Sequence, residues 1–228
     1  MDKNIIGKPR VYLVNKEVKI QPEQLVKRGE IVASIDWVVR EGIFDPNGKI
    51  TKIQPPKRSE SFVRAFLELM YIMFGGIFDY SGYPIKDTSG TTVDTGRNTY
   101  TWRCTGAIGS VLSGIIVGTG ITAPTVEDYV IETLISHGTG AGQLQYGAVT
   151  FGAPASDSTT TQFTITRNFA NGSGASITVN EVALYVEMSK GGTPTLYYCM
   201  TLHDVIGGGV AVPNGQTLTV NYRPQAVI

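Results

Sequence analysis

The C-terminal part of the chain alternates between hydrophobic and polar residues with a period of two, which predicts β-strands. Clusters of Gly, Pro, Asn and Ser separate the strands. The predicted strands lie near residues 111–117, 143–151, 161–169, 176–188, 195–205 and 216–223. Six strands at this spacing are typical of an antiparallel β-sandwich, which we expect over residues 105–228. Residues 122–135 predict a short helix within this domain, because Glu127 and Asp128 would lie in its first turn.

The predicted strand at residues 176–188 changes its hydrophobic phase halfway along. Hydrophobic residues occupy odd-numbered positions up to Val179 and even-numbered positions from Val182 onward. A shift by one residue predicts a β-bulge near Asn180 or Glu181. The alternative interpretation is a strand that is buried on both faces beyond Glu181.

The strand before this one predicts an inward-facing row made of Phe163, Ile165 and Phe169. The residues that follow, 171–174, read Asn-Gly-Ser-Gly and tolerate the positive φ angles of a tight turn. We therefore expect residues 161–188 to form two strands joined by this turn.

Residues 1–58 also show strand patterns and predict a strand-rich N-terminal arm. The strand segments are residues 10–20 and 30–39, and residues 43–53 form a hairpin about an Asp-Pro-Asn-Gly turn. We expect the last strand to end at Pro55-Pro56, because proline has no N–H group to donate to a neighbouring strand.

Residues 59–74 change the period from that of a strand to that of an α-helix. Two adjoining hydrophobic stripes cover most of the predicted helix, so most of its circumference must be covered. The covering surface is either the rest of the chain or another subunit, and the sequence leaves both open. If it is another subunit, the contact residues are Phe62, Phe66, Met70, Met73 and Phe74. This helix and the long polar segment after it make residues 59–104 a connector between the arm and the sandwich.

Composition and charge permit contacts between this protein and its neighbours. Charged residues are 17% of the 228 residues, and Gly accounts for 27 of them. Residues 1–64 contain 13 Lys and Arg against 8 Asp and Glu, whereas residues 65–228 contain 6 against 11. Opposite charge in the two parts permits head-to-tail attraction between copies or docking on another protein. The alternative interpretation is that these charges lie on ordinary solvated faces.

Motifs for catalysis or cofactor binding are absent or lack their context. Residues 118–123 fit G-x-G-x-x-A, but no βαβ unit surrounds them. His137 and His203 have no acid at motif spacing, and Cys104 and Cys199 lack metal-ligand spacing and predict free thiols. We therefore expect a non-enzymatic protein without cofactor or metal. The sequence does not favour nucleic acid as a partner, because no basic stripe with interleaved aromatic residues is present. It does not favour a small-molecule ligand either, because the motifs for catalysis and cofactor binding are absent or lack their context.

The N-terminal residues lack the apolar core of a signal peptide, and the longest apolar run is too short to span a bilayer. We therefore expect no membrane partner and assembly in a cytoplasm. One alternative function remains, a carbohydrate-binding module that uses exposed aromatic rings. Its stacking residues would be Trp37, Tyr80, Tyr83 and Trp102.

Several segments together resemble structural proteins of tailed-bacteriophage virions. The segments are "SFVRAFLELMY", "IIVGTGITAPTVEDYVIETLI", "LQYGAVTF", "FTITRNFANGSGASITVNEVALY" and "GQTLTVNYRPQAV". The resemblance covers about residues 59–75 and 110–226 and implies a β-sandwich subunit of the tail, the neck or collar, or the capsid surface. It further implies location in the virion and partners that are other copies of the chain and other virion proteins.

Overall fold

The computed structural model describes residues 11–14, 17–20, 30–59, 61–66, 69, 85–93, 102–189 and 196–227. These residues are mainly β, and antiparallel sheets pack against each other in a sandwich-like arrangement, so the predicted fold class is confirmed. The strands are β1 (Val11–Val14), β2 (Glu17–Ile20), β3 (Glu30–Glu41), β4 (Ile50–Arg58), β5 (Ser61–Phe62), β6 (Ile85–Lys86), β7 (Thr92–Val93), β8 (Gly114–Gly118), β9 (Gln145–Tyr146), β10 (Thr150–Phe151), β11 (Ala155–Ser156), β12 (Thr160–Gln162), β13 (Ile165–Ala170), β14 (Ile177–Ser189), β15 (Leu196–Val212) and β16 (Gln216–Val227).

The larger sheet is built around β16. This strand pairs along its whole length with β3, and on its other side with β13 and β12. β3 pairs in turn with β4, and β13 pairs with β9 and β10. Inward-facing side chains such as Ile35, Phe169, Val220 and Tyr222 are fully buried and form one side of the core. Two further antiparallel pairs, β1–β2 and β6–β7, stand outside the two main sheets.

Residues 30–58, which the sequence assigned to the arm, lie in this larger sheet through β3 and β4. The Asp-Pro-Asn-Gly segment connects these two strands, as predicted. The prediction that pairing stops at Pro55-Pro56 is wrong, because β4 continues to Arg58. Two features tolerate the prolines: β4 pairs only with β3 among the described strands, and the register of this pair shifts between Ile35 and Trp37.

The smaller sheet has the strand order β5–β15–β14–β8. The predicted bulge is confirmed, because the β14–β15 register shifts between Val179 and Glu181. Residues 206–209 of β15 lie opposite Asn180. The alternative interpretation is also correct, since residues 182–186 are all buried. Here β14 has β8 and β15 on either side and is covered on both faces.

Among the residues that the structure describes, helix is rarer than the sequence predicted. Among the described residues, only 64–66 and 69 are α-helical, so this helix begins after Phe62, which lies in β5 and pairs with Leu202. The predicted helix at residues 122–135 is absent, and these residues form turns and irregular backbone.

One core prediction also failed at the end of the larger sheet. Ile165 and Phe169 face inward and are buried, but Phe163 is 37% exposed. The inward position between Ile165 and Phe169 is occupied by Arg167, which is fully buried. The Asn-Gly-Ser-Gly turn forms as expected, with Gly174 at a φ of 88°.

Candidate functional site

The predicted interface residues are only partly described by the structure. The rings of Phe62 and Phe66 stack with their centroids 4.0 Å apart, and the Phe66 ring lies 6.2 Å from that of Trp102. Both phenylalanines are half-buried, and Phe62 packs against the core. Met70, Met73 and Phe74 lie outside the described residues. Their role in an interface stays a prediction.

A polar cluster lies between β14 and β15 of the smaller sheet and the irregular segment of residues 119–135, which we call the cover loop. The centre of the cluster is Glu181, directly beside the register shift in β14 and fully buried. Its carboxylate accepts hydrogen bonds from the backbone N–H groups of Gly120, Glu132 and Thr133, at 2.8 to 2.9 Å. The cover loop is therefore attached to the sheet through one carboxylate.

The two glycines of the G-x-G-x-x-A sequence have a role in this attachment. A Cβ atom at Gly118 would lie 2.4 Å from Oε1 of Glu181, and one at Gly120 would lie 2.5 Å from the same oxygen. Only glycine leaves room for the carboxylate to reach the backbone N–H groups. The anion that this Gly-rich segment binds is thus a side chain of the same protein and not the phosphate of a nucleotide.

His203 lies between two carboxylates that are distant in sequence. Its Nδ1 atom is 2.7 Å from Oδ2 of Asp128, and its Nε2 atom is 3.3 Å from Oε2 of Glu181. An ionised carboxylate accepts hydrogen bonds but does not donate them, so both ring nitrogens must carry a proton to satisfy both contacts. The arrangement therefore favours the positively charged imidazolium form of His203.

The pKa values of the three groups shift in the directions that this arrangement requires. Burial opposes ionisation of Glu181, but hydrogen bonds from His203 and the backbone outweigh it and hold the Glu181 pKa below its usual value. The pKa of Asp128 is also lowered, since hydrogen bonds from Thr125 and His203 outweigh its partial burial. For His203, burial favours the neutral ring, but the two carboxylates outweigh it and raise its pKa.

A second buried carboxylate, that of Asp204, faces the opposite side of β15, the strand that also contains His203. Asp204 accepts hydrogen bonds from the hydroxyl groups of Ser59 and Tyr222, both at 2.7 Å. Tyr222 belongs to β16 of the larger sheet, so this contact joins the two sheets through their interior. Adjacent residues in one strand thus anchor two different layers, His203 on the outer face and Asp204 on the inner face.

Arg167 fixes the loop that precedes β8. Its guanidinium group donates only to backbone carbonyl oxygens, and it lies 4.8 Å from the centroid of the Tyr146 ring. The five acceptors are the carbonyl oxygens of Ala107, Ser110, Ser113, Ile115 and Gly147, at 2.7 to 3.1 Å. Every N–H direction of the guanidinium is occupied, so this cation stabilises the fold and offers nothing to a ligand.

The cluster has a structure suited to positioning backbone and not to catalysis. His203 is 4% exposed, and each of its ring nitrogens contacts a carboxylate, so neither can accept a proton from a substrate. A small pocket of about 60 Å³ opens beside Asp128 and is also lined by Arg64, Lys86 and Tyr129. Within the described ranges, no group of three or more His, Cys, Asp or Glu side chains is arranged to hold a metal ion.

The remaining candidate residues have structural positions. His137 accepts a hydrogen bond from the Tyr146 N–H group at 3.0 Å. Cys104 and Cys199 are free thiols, as predicted, and burial raises the pKa of Cys104 to about 11. The aromatic residues of the carbohydrate alternative do not form a platform among the described residues. Trp37 and Trp102 pack against the core, and Tyr80 and Tyr83 lie outside the described ranges.

Large hydrophobic side chains remain exposed on several surfaces of the described structure. They are Ile31, Ile43, Phe44, Ile50, Ile53, Ile108, Leu112, Ile121, Val126, Val130, Leu134, Phe151, Phe163 and Leu196. The most exposed are Ile108 at 77%, Ile121 at 74% and Ile53 at 66%. Four of these residues belong to the cover loop, and two belong to β4.

Sequence reasoning missed the Glu181–His203–Asp128 cluster because its members are 22 and 75 positions apart. The available signal was the bulge prediction, which pointed to the residues around Glu181 without indicating their partners.

Within the described residues, no helical segment has the length and apolar character that crossing a membrane requires. Comparisons with protein-family models, curated proteins and solved structures found no match for this chain.

Proposed function

We propose that this protein is a non-enzymatic structural subunit of a tailed-phage virion, in the tail, the neck or collar, or the capsid surface. It acts by self-assembly and by docking to neighbouring virion proteins. The resemblance of residues 59–75 and 110–226 to such proteins supports the class of particle. The described structure supports the mode of action, since its buried polar residues hold loops in place. Ordered loops can serve as docking surfaces at a small cost in conformational entropy.

The observation that carries the proposal is the amount of hydrophobic surface outside the core. Fourteen large hydrophobic side chains among the described residues are exposed. Single exposed hydrophobic residues are ordinary, but groups of them with charged residues around them mark protein–protein contact surfaces. Covering such groups on association contributes about 25 cal/mol per Å² of buried apolar surface before the costs of association are subtracted.

Light scattering on the purified full-length chain tests self-assembly. The subunit mass is 24.6 kDa, and we expect species at multiples of this mass whose proportion rises with protein concentration. A single species of one subunit mass at every concentration would contradict self-assembly. We do not advance the carbohydrate-binding alternative, because the two of its residues that the structure describes, Trp37 and Trp102, pack against the core.

A further inference from the structure

We propose that the subunits associate head to tail, with the exposed side of β4 of one copy docking on the outer surface of the cover loop of the next copy. This inference rests on the proposed function, since it names the two surfaces through which self-assembly occurs. The occupant of each surface is thus a second copy of this chain. Two independent properties of the described residues lead to this pairing, their exposed hydrophobic side chains and their charge.

The first surface is the β4 edge of the larger sheet. Ile50 and Ile53 are 43% and 66% exposed there. Residues 49–58 contain four basic residues, Lys49, Lys52, Lys57 and Arg58, and no Asp or Glu. Among the described strands, β4 pairs only with β3, so its other side faces outward. This surface therefore combines two exposed isoleucines with a net positive charge.

The second surface is the outer side of the cover loop. Its exposed hydrophobic residues are Ile121, Val126, Val130 and Leu134, between 37% and 74% exposed. Residues 119–135 contain three acidic residues, Glu127, Asp128 and Glu132, and no Lys or Arg. Two cations offset part of this charge, since Nη1 of Arg64 lies 3.4 Å from Glu127 and the charged ring of His203 lies 2.7 Å from Asp128. With Glu181 beneath the loop, the carboxylates still outnumber these cations. The surface therefore combines four exposed hydrophobic residues with a net negative charge.

The cover loop is held in shape before any partner binds. Glu181 accepts three of its backbone N–H groups from below, and Glu132 accepts those of Ile121 and Thr122 at 3.0 Å. The hydroxyl oxygen of Tyr185 accepts the N–H group of Ile131 at 2.6 Å. A loop that is already ordered loses little conformational entropy on docking, which favours its use as a contact surface.

The two surfaces belong to different sheets, since β4 is in the larger sheet and the cover loop lies on the smaller one. A contact between two different surfaces of identical subunits is heterologous and continues from copy to copy, closing into a ring or extending as a filament. Pro55, Pro56 and the lysines make β4 a poor template for strand-to-strand pairing. The contact is therefore made by side chains and not by continuation of the sheet.

Two single substitutions test the pairing. Ile53→Asp places a negative charge on the basic surface, opposite the acidic cover loop of the next copy. Val126→Asn removes a hydrophobic side chain from the cover loop without adding a charge that the basic surface would attract. Both positions are more than half exposed, so we expect both variants to keep the circular dichroism spectrum of the wild type. Each should weaken self-association, measured by sedimentation velocity, by about tenfold or more. Ile108→Asp, at a position 77% exposed and outside both surfaces, is the matched control and should associate as the wild type does.

Mixing the two variants distinguishes a head-to-tail contact from a symmetric one. The Ile53→Asp subunit keeps an intact cover loop, and the Val126→Asn subunit keeps an intact β4 surface. An equimolar mixture should therefore form a dimer with one copy of each variant and no larger species. Wild-type association should also weaken as salt is added, because the charges are screened.

The outcomes separate the two proposals. If either variant associates as strongly as the wild type, or if the mixture forms no dimer, the head-to-tail pairing is wrong while self-assembly of the wild type still stands. A wild-type chain that stays a single subunit at every concentration contradicts self-assembly, and the pairing fails with it. Loss of association in the Ile108→Asp control would show that the effect is not specific to the two surfaces and would also overturn the pairing.

Discussion

At the residue scale, the central feature is a histidine whose two ring nitrogens both contact carboxylates. Nδ1 of His203 lies beside Asp128, and Nε2 lies beside Glu181. Further hydrogen bonds to these two carboxylates help to lower their pKa values. A neutral imidazole has one N–H group, so it satisfies only one of the two carboxylates. The charge on His203 is therefore coupled to how firmly the cover loop is held against the smaller sheet.

The pKa directions predict a stability maximum for the cover loop. The His203 pKa is raised on folding, so its contribution is fully present below the unfolded value of about 6.5 and is lost as pH rises through the folded pKa. The Asp128 and Glu181 pKa values are lowered, so their contribution is present above the unfolded values of about 4 and is lost as pH falls through the folded pKa values.

Hydrogen exchange measured by NMR checks this prediction. Protection factors of the Glu132 and Thr133 amides, corrected for intrinsic exchange, should fall on both sides of a maximum between the two ranges. His203→Gln removes the titrating ring and should abolish the decline on the alkaline side. An alkaline decline that persists unchanged in this variant would show that His203 is not its cause.

At the element scale, local pattern and long-range contact had different predictive value. The strands, the turn at residues 171–174 and the register shift beside Glu181 were predictable, because alternation and turn residues are local properties of the chain. The helix expected at residues 122–135 was not formed, because the N–H groups of Glu132 and Thr133 donate hydrogen bonds to the carboxylate of Glu181 in β14. No pattern within the segment itself reveals that partner.

The predicted start of the helix at residue 59 was wrong for a related reason, although residues 64–66 and 69 are helical. The hydrophobic spacing of residues 59–74 indicated a helix from the first residue, but Phe62 pairs with Leu202 and extends the smaller sheet. Arg167 was missed because an arginine at an inward strand position is rare unless its donors are satisfied. Here five carbonyl groups satisfy them. Four of these belong to residues more than fifty positions away along the chain, and the fifth, that of Gly147, is 20 positions away.

The cover loop allows a prediction at this scale. Glu181→Gln replaces one carboxylate oxygen by an amide N–H₂ group, which cannot accept the hydrogen bonds that this oxygen receives. A buried N–H group left without an acceptor costs about 1–3 kcal/mol. We expect limited proteolysis within residues 119–135 to become about tenfold faster or more, while far-ultraviolet circular dichroism stays that of a β protein.

Glu187→Gln is the matched control for this substitution. Glu187 lies in the same strand and pairs with Arg103, whose side chain is 57% exposed. An ion pair with such exposure contributes about 0–1 kcal/mol, so cleavage of the cover loop should stay near the wild-type rate. Equal acceleration in both variants would mean that Glu181 has no special role in holding the loop.

At the scale of the whole molecule, the two main sheets of the described residues are joined through the interior, and exposed hydrophobic side chains lie on their surfaces. Strand β16 is paired on both sides, and Tyr222 connects it to Asp204 in the smaller sheet. The chain thus places its buried polar residues where they fix loops and sheet packing, and places its uncovered hydrophobic residues at the surface. This distribution is the physical basis of our proposal that the protein acts by assembling.

The measurement that tests the proposed role most directly is quantitative mass spectrometry of purified phage particles from the lysate in which the chain is produced. We predict that the chain co-purifies with intact particles in several copies per particle and that antibodies against it label one fixed position by electron microscopy. If the chain is abundant in the lysate but missing from particles that are otherwise complete, it is not a structural subunit of the virion.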